Sequence, residues 1–161
     1  NPWRTGYTRS SGGIWPIPGC YMRGRGSVLT NATITIFNRF SDRNLKKYLF
    51  RPCVLPDVWF HAGRKVTAEQ GGLTSANEYK IRIPFPRDGW LAPMDFQELA
   101  NPDGRWTVQK GDLFLVGEWY NGPVDSLAEL RKQFAGTIGI VLNYSENFFG
   151  SSQHIRIGGG D

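Results

Sequence analysis

The sequence predicts a mainly β fold, either a barrel or sandwich-like, with one short α-helix and only minor α+β character. Short segments rich in β-branched and aromatic residues recur at near-regular spacing between turns that contain Gly, Pro and Asn, a pattern typical of small all-β domains. Only residues 125–134 carry a convincing run of apolar residues at helical spacing. A length of 161 residues suits one domain.

The first half of the chain contains the clearest strands. Residues 32–37 alternate β-branched and apolar side chains, and residues 78–85 place apolar residues on one face and cations on the other. Pro52 and Pro56 indicate that the extended chain around them lies at a sheet edge or contains a bulge. The other expected strands here are residues 47–54, 58–61 and 64–67.

The second half predicts shorter elements. Residues 106–108 and 112–116 bracket Lys110-Gly111, which indicates a hairpin or a tight connection. Ser126 or Asp125 caps the expected helix at 125–134, and Gly136 ends it. We also expect one or two helical turns within 93–99, strands at 137–142 and 153–157, and a loose tail at 158–161.

Charge divides the chain into two parts. Residues 1–31 contain four arginines and no acid, and so carry +4 of the net +5; residues 32–161 carry the remaining +1. The first part is rich in Gly, Pro and Ser and has no lasting periodicity. We therefore expect a basic arm over 1–31, either disordered or ordered only against a partner, followed by a single β-rich domain over 32–161.

Two further features limit the class of protein. No run approaches 18 consecutive apolar residues, so we expect no membrane span. Cys20 and Cys53 are the two cysteines, and two free thiols are the expected state, although the sequence leaves their pairing open. No Cys-x-x-Cys or His/Cys cluster is present, so we predict no metal site and no cofactor.

Candidate catalytic residues are few, and we predict that the protein is not an enzyme. On a strand, Asp57 and His61 share a face but are about 13 Å apart, too far for a base and its orienting carboxylate. Asp112 and Glu118 flank a predicted strand, and the sequence does not pair them. His154 lies in the last predicted strand, where a structural or surface role is expected.

Two sets of residues are candidates for interaction. The arm carries Arg23-Gly24-Arg25-Gly26, a single short copy of an Arg-Gly element that binds nucleic acid through phosphates and stacking. The candidate arm residues are Arg4, Arg9, Arg23 and Arg25. Among the tryptophans, Trp59, Trp90 and Trp119 are candidate interaction residues. Together with Trp106 they are also the candidates for a platform that stacks on a carbohydrate, with core packing or a protein interface as the ordinary alternative.

Several short motifs, in a fixed order, carry a resemblance to a known group of proteins. They are residues 34–39 (ITIFNR), 58–60 (VWF), 72–84 (GLTSANEYKIRIP), 104–112 (GRWTVQKGD), 117–118 (GE), 127–134 (LAELRKQF) and 154–158 (HIRIG). Together they resemble a family of small, functionally uncharacterised proteins of tailed phages and prophages of gut Firmicutes. The resemblance covers roughly residues 32–160 and excludes the basic arm.

This resemblance implies a structural role in the virion, as a head–tail connector, head-closure protein or minor capsid component. The implied partners are portal, connector or tail proteins, and further copies of the chain in a ring. Assembly would take place in the cytoplasm of the bacterial host. Contact with DNA through the arginine-rich arm, or a tryptophan-based carbohydrate-binding domain, is the alternative function.

Overall fold

A computed structural model describes residues 30–161, in which six antiparallel strands close into a barrel in the order β1-β2-β3-β6-β5-β4. The strands are β1 (Ala32–Asp42), β2 (Lys47–Glu69), β3 (Gly72–Pro84), β4 (Leu113–Val116), β5 (Ile138–Asn147) and β6 (His154–Gly160). Two short helices, α1 (Pro93–Gln97) and α2 (Leu127–Gln133), lie between them. The predicted mainly β fold is confirmed, and the barrel alternative is the one adopted.

β2 is a single long strand that changes partner midway. Its residues up to Val58 pair with β1, and its residues from Trp59 onward pair with β3. The change coincides with Asp57, whose φ is 54°. Pro52 and Pro56 lie in the first half, where β1 is the only partner strand. The predicted edge position is therefore correct, whereas the division into three separate strands is wrong.

Asn31 forms hydrogen bonds with β2 at the point where β2 changes its partner strand. Its backbone N–H donates to the carbonyl of Val58 at 3.0 Å. Its side-chain amide donates to the carbonyl of Phe60 at 3.0 Å and accepts from the Phe60 N–H at 2.8 Å. Asn31 therefore extends the sheet by one residue beyond β1.

Two apolar clusters lie on the two faces of the barrel wall. The barrel interior contains Ile34, Ile36, Leu55, Ile81, Ile83, Trp106, Phe114, Ile155 and Ile157, among others. The second cluster lies outside the wall, where α2 covers it with Leu130. β4 contributes to both, with Phe114 directed inward and Leu113 and Leu115 outward. Its continuous apolar run is explained by burial on both faces.

Two local predictions need correction, and a third is confirmed. Residues 106–108 form no strand; Trp106 makes one isolated bridge with Trp90, and the segment is a buried loop. Residues 158–160 are the end of β6, paired with both β3 and β5, and not a loose tail. A second helix, α1, begins at Pro93 as expected.

Candidate interaction surfaces

The most prominent surface feature is the far end of the β2–β3 hairpin, residues 64–77, which we call the hairpin arm. Every residue of the hairpin arm is exposed. Its strands pair only with each other, because β6 pairs with β3 no farther than Glu78. Six residues per strand extend it by about 20 Å. It is therefore a two-stranded projection from the barrel.

The two faces of the hairpin arm differ in polarity. Phe60 and Ile81, directly opposite each other, face the barrel interior, so every second residue beyond them continues that face. This inner face carries Val66 and Leu73, which are 62% and 78% exposed. The opposite face carries Lys65, Thr67 and Glu69. The hairpin arm is thus amphipathic, with an uncovered apolar face near its tip.

Arg87 anchors the bend of β2 at Asp57. It is 8% exposed, and its guanidinium donates to the carbonyl of Asp57 and, at 3.2 Å, to the carbonyl of Pro84. Burial lowers the pKa of Arg87 to about 10, against the opposing effect of the Asp57 charge. The group therefore remains cationic at neutral pH and holds β2 and the end of β3 together.

A second polar centre surrounds Asp112, which is 1% exposed. Its carboxylate accepts from the side-chain amide of Asn38 at 2.8 Å and from the backbone N–H groups of Arg39 and Gln109 at 3.0 and 3.1 Å. Burial raises the pKa of Asp112 to about 6, although these hydrogen bonds act in the opposite direction. Asn38 in turn joins Thr107 through both its donor and its acceptor.

The Asp112 network borders a shallow cavity of about 430 Å³. Arg39 lies at its rim with its guanidinium 4.2 Å from the centre of the Tyr48 ring, and Gln97 donates to both the Arg39 carbonyl and the Gln109 side chain. The donors around Asp112 are neutral and no second carboxylate lines the cavity. This arrangement ties the 105–112 loop to β1.

The tryptophans predicted to bind a partner differ in how far their side chains are buried. Trp119 is 4% exposed, packs edge-on against Phe37, and donates its indole N–H to the carbonyl of Gly122 at 2.8 Å. Trp119 therefore presents almost no surface in the described part of the chain, and its contact with a partner stays a prediction. Trp90 is half-buried among Phe85, Trp106 and Phe148.

Trp59 is also half-buried and lies on the outer face of β2, beside His61 and Arg82. The carbohydrate platform required exposed, coplanar tryptophans. Trp90 and Trp106 meet at 57°, and Trp106 is fully buried. Of the four candidates, Trp106 and Trp119 are buried whereas Trp59 and Trp90 are half-buried, so the carbohydrate platform stays a prediction.

The candidate catalytic residues are not brought together. His61 contacts Trp59, whereas Asp57 lies at the bend of β2 and gives its carbonyl to Arg87. His154 contacts Asn147 and the carbonyl of Ser152. Glu118 is exposed. Over residues 30–161, no group of three or more His, Cys, Asp or Glu side chains could hold a metal ion.

The remaining candidates concern the start of the chain and Cys53. Cys53 takes part in a disulfide bond, so the expectation of a free thiol there is wrong. Cys20 and the four arginines of the arm lie outside the described residues: Arg4, Arg9, Arg23 and Arg25. The Arg-Gly element therefore stays a prediction.

Phe149 is a surface residue that sequence reasoning missed. It is 92% exposed in the turn between β5 and β6, whereas the preceding Phe148 packs against Phe85 with ring centres 4.5 Å apart. The two adjacent phenylalanines point to opposite environments. Their identical residue type gives no signal of this difference, which depends on the path of the turn.

These features define the chain as a small antiparallel β-barrel protein with a projecting hairpin. Residues 29–160 match the family of unknown function DUF6751, and the chain belongs to this family. No curated protein and no solved structure matches the chain. None of the helices in residues 30–161 has the length and apolar character needed to cross a membrane.

Proposed function

We propose that this protein is a structural component of a tailed-phage particle, acting as a head–tail connector, head-closure protein or minor capsid component. The segments that resemble phage and prophage proteins lie on β1, β2, β3, the 104–112 loop, α2 and β6. Its work would be protein–protein assembly in the cytoplasm of the bacterial host, with portal, connector or tail proteins and further copies of the chain as partners.

The observation that carries this proposal is the hairpin arm. A two-stranded hairpin alone is marginally stable in water, and no strand or helix within residues 30–161 pairs with or covers residues 64–77. Val66 and Leu73 stay exposed on its inner face. A neighbouring protein that covers this face would remove the apolar surface from water and order the hairpin arm.

The geometry of a projecting arm also suits ring formation. In a ring, one surface patch of each subunit contacts a different patch of the next, and rotation closes the assembly. A hairpin that extends about 20 Å from the barrel can reach an adjacent subunit. We therefore expect the hairpin arm to be one of the two patches.

The first experiment measures assembly mass. The purified chain, alone and mixed with candidate portal and tail proteins, is examined by sedimentation velocity. The double variant Val66→Asp/Leu73→Asp should lose the assembled species and keep the thermal unfolding temperature, because both side chains are exposed. The control Leu45→Asp/Met94→Asp adds the same charges at exposed apolar sites outside the hairpin arm. Equal assembly by both variants would contradict the role of the hairpin arm.

The second experiment locates the protein in the particle. Mass spectrometry of purified virions and of assembly intermediates should detect the chain at a fixed ratio to the portal protein. Its absence from both would rule out the proposed virion role. Detection in intermediates alone would assign it to assembly and not to the finished particle.

A further inference from the structure

The outer surface of the barrel beside the hairpin arm carries an uncompensated set of cations. We call the surface formed by Trp59, His61, Lys80, Arg82 and Arg156 the basic face. It spans three adjacent strands, since Trp59 is directly opposite Arg82 and Arg82 is directly opposite Arg156. In the next row outward, His61 is opposite Lys80. These five side chains therefore share one continuous patch of sheet.

The orientation of the basic face follows from strand alternation. Ile81 and Ile157, also paired directly, are fully buried in the barrel interior. Their neighbours in sequence, Lys80, Arg82 and Arg156, must then point to the outside of the wall. Arg82, Arg156 and His61 are exposed, and Lys80 is half-buried. Neither α1 nor α2 contributes to this part of the wall.

The charges on this patch are unbalanced. Glu78, two residues before Lys80, is the acid on the same face of β3. Across residues 30–161, the salt bridges are Lys47–Asp125 and Arg51–Asp103, so Lys80, Arg82 and Arg156 have no ionic partner. Like charges directly opposite each other on neighbouring strands destabilise a sheet. The pairing of Arg82 with Arg156 therefore costs stability unless an anion lies over it.

Aromatic rings lie within the same patch. The Arg82 guanidinium is 5.4 Å from the centre of the Trp59 ring. Trp59 and His61 have ring centres 5.8 Å apart and planes inclined by only 10°. Cations that interleave with flat rings form the kind of surface on which single-stranded nucleic acids bind, through phosphates and stacked bases.

We infer that the basic face binds single-stranded nucleic acid, with Arg82 and Arg156 on phosphates and the Trp59 ring beside a base. An acidic protein would form ion pairs with the cations. It would leave the parallel Trp59 and His61 rings without a flat group stacked on them. A duplex would present its phosphates while its stacked bases stay inside. The rings and the cations together are therefore best matched by an unpaired strand.

The inference is tested by fluorescence anisotropy with a labelled 20-nucleotide oligothymidylate over a salt series. Each phosphate contact on a single strand contributes about 0.7 to the slope of log K against log salt. Arg82→Gln/Arg156→Gln should therefore lower the slope by about 1.4. Trp59→Ala should weaken binding roughly 5- to 150-fold and leave the slope unchanged, since stacking involves no counterion release.

The control variant is Arg43→Gln/Arg105→Gln, which removes two exposed cations outside the basic face. This variant shows how much affinity is lost when the net charge alone falls by two. Any contribution to binding from the arginines in residues 1–31 is the same in both double variants. Equal losses in this variant and in Arg82→Gln/Arg156→Gln would overturn the inference, and so would the absence of binding at low salt. All variants are first checked for an unchanged thermal unfolding temperature.

Two competitors identify the ligand class. Duplex DNA that binds as tightly as the single strand would overturn the assignment to unpaired strands. Polyglutamate that displaces the oligonucleotide equally well would overturn it in favour of an acidic protein. The hairpin-arm variants leave the basic face intact, so failure of this inference and failure of the proposed virion role are separately visible.

Discussion

The ring of Phe114 lies directly against the backbone of Gly159 inside the barrel. A Cβ placed on Gly159 would be 2.6 Å from Cε1 of Phe114 and 3.1 Å from the carbonyl oxygen of Ile140. Gly139, on the next strand, faces the same ring. Two glycines of β5 and β6 therefore create the space that a large inward-facing side chain of β4 occupies.

We expect Gly159→Ala to destabilise the barrel by about 1–3 kcal/mol, because the added methyl overpacks a filled core. Urea unfolding measures this change. The matched control is Gly71→Ala, where an added Cβ meets nothing within 4 Å. Combining Gly159→Ala with Phe114→Leu should cost less than the sum of the two single changes. Strict additivity would show that the two residues are not coupled.

Asp112 should give the protein a pH-dependent stability. Its pKa is raised to about 6 in the fold from 3.8, so the unfolded chain ionises first as pH rises. Stability from this group is complete below pH 4 and is lost as pH rises through 6, by on the order of 3 kcal/mol. Chemical unfolding of the native protein and of Asp112→Asn gives the difference between their free energies of unfolding at each pH. This difference, native minus variant, should fall by that amount between pH 4 and 7.

The control for Asp112 is Glu118→Gln, at an exposed carboxyl close in sequence. The same difference in unfolding free energy, measured for this variant over the same pH range, is the reference with which the change for Asp112→Asn is compared. A pH-independent difference for Asp112→Asn would show that burial does not raise the pKa of the Asp112 carboxyl.

Arg87 should control the rigidity of the β2 bend. Replacing it with Met removes two charge-assisted hydrogen bonds to the carbonyls of Asp57 and Pro84, each of a kind worth about 1.5–3 kcal/mol. Hydrogen exchange should accelerate at Val58 and Trp59, next to the bend. Arg87→Lys keeps the charge but not the planar fork, so it should rescue little. Unchanged exchange in Arg87→Met would exclude the anchoring role.

Asn31 offers a test of a side chain that replaces a strand partner. Asn31→Ala should cost about 1–2 kcal/mol, because the Phe60 N–H and carbonyl both lose a partner. Asn31→Asp can still accept from the Phe60 N–H but cannot donate to the carbonyl, so an intermediate loss is expected. Chemical unfolding of the three proteins gives the order. Equal stability of Asn31→Ala and the native protein would contradict this role.

The pattern of side chains along the chain was enough to predict the class of fold and most strand positions. Residues 78–83 alternate so regularly that burial of one face follows directly. Residues 32–37 alternate in sequence as well, but there Thr35 on the second face is as fully buried as Ile34 and Ile36. Pro52 and Pro56 signalled an edge correctly, since a missing N–H is harmless only where no neighbouring strand needs it. The Ser126 cap was also readable, because capping is local to the sequence, and Ser126 accepts from the Glu129 N–H at 3.2 Å.

Relationships between distant segments were not readable in this way. The pKa of Asp112 is raised by burial in the fold, against the effect of a hydrogen bond from Asn38, 74 residues away. The space for Phe114 depends on glycines in two other strands. Residues 158–160 resembled a loose tail because glycine has low strand propensity, yet pairing on both sides and the neighbouring Phe114 ring place them in the barrel.

Local periodicity and turn chemistry therefore determined that this chain folds into a β domain with a capped short helix. Only the tertiary structure decided that the sheet closes, that Trp119 is buried while Phe149 is exposed, and that Arg82 lies opposite Arg156. The physical reason is that hydrogen-bonding pattern and side-chain alternation act over a few residues, whereas burial, pKa and charge neighbours depend on which strands become adjacent.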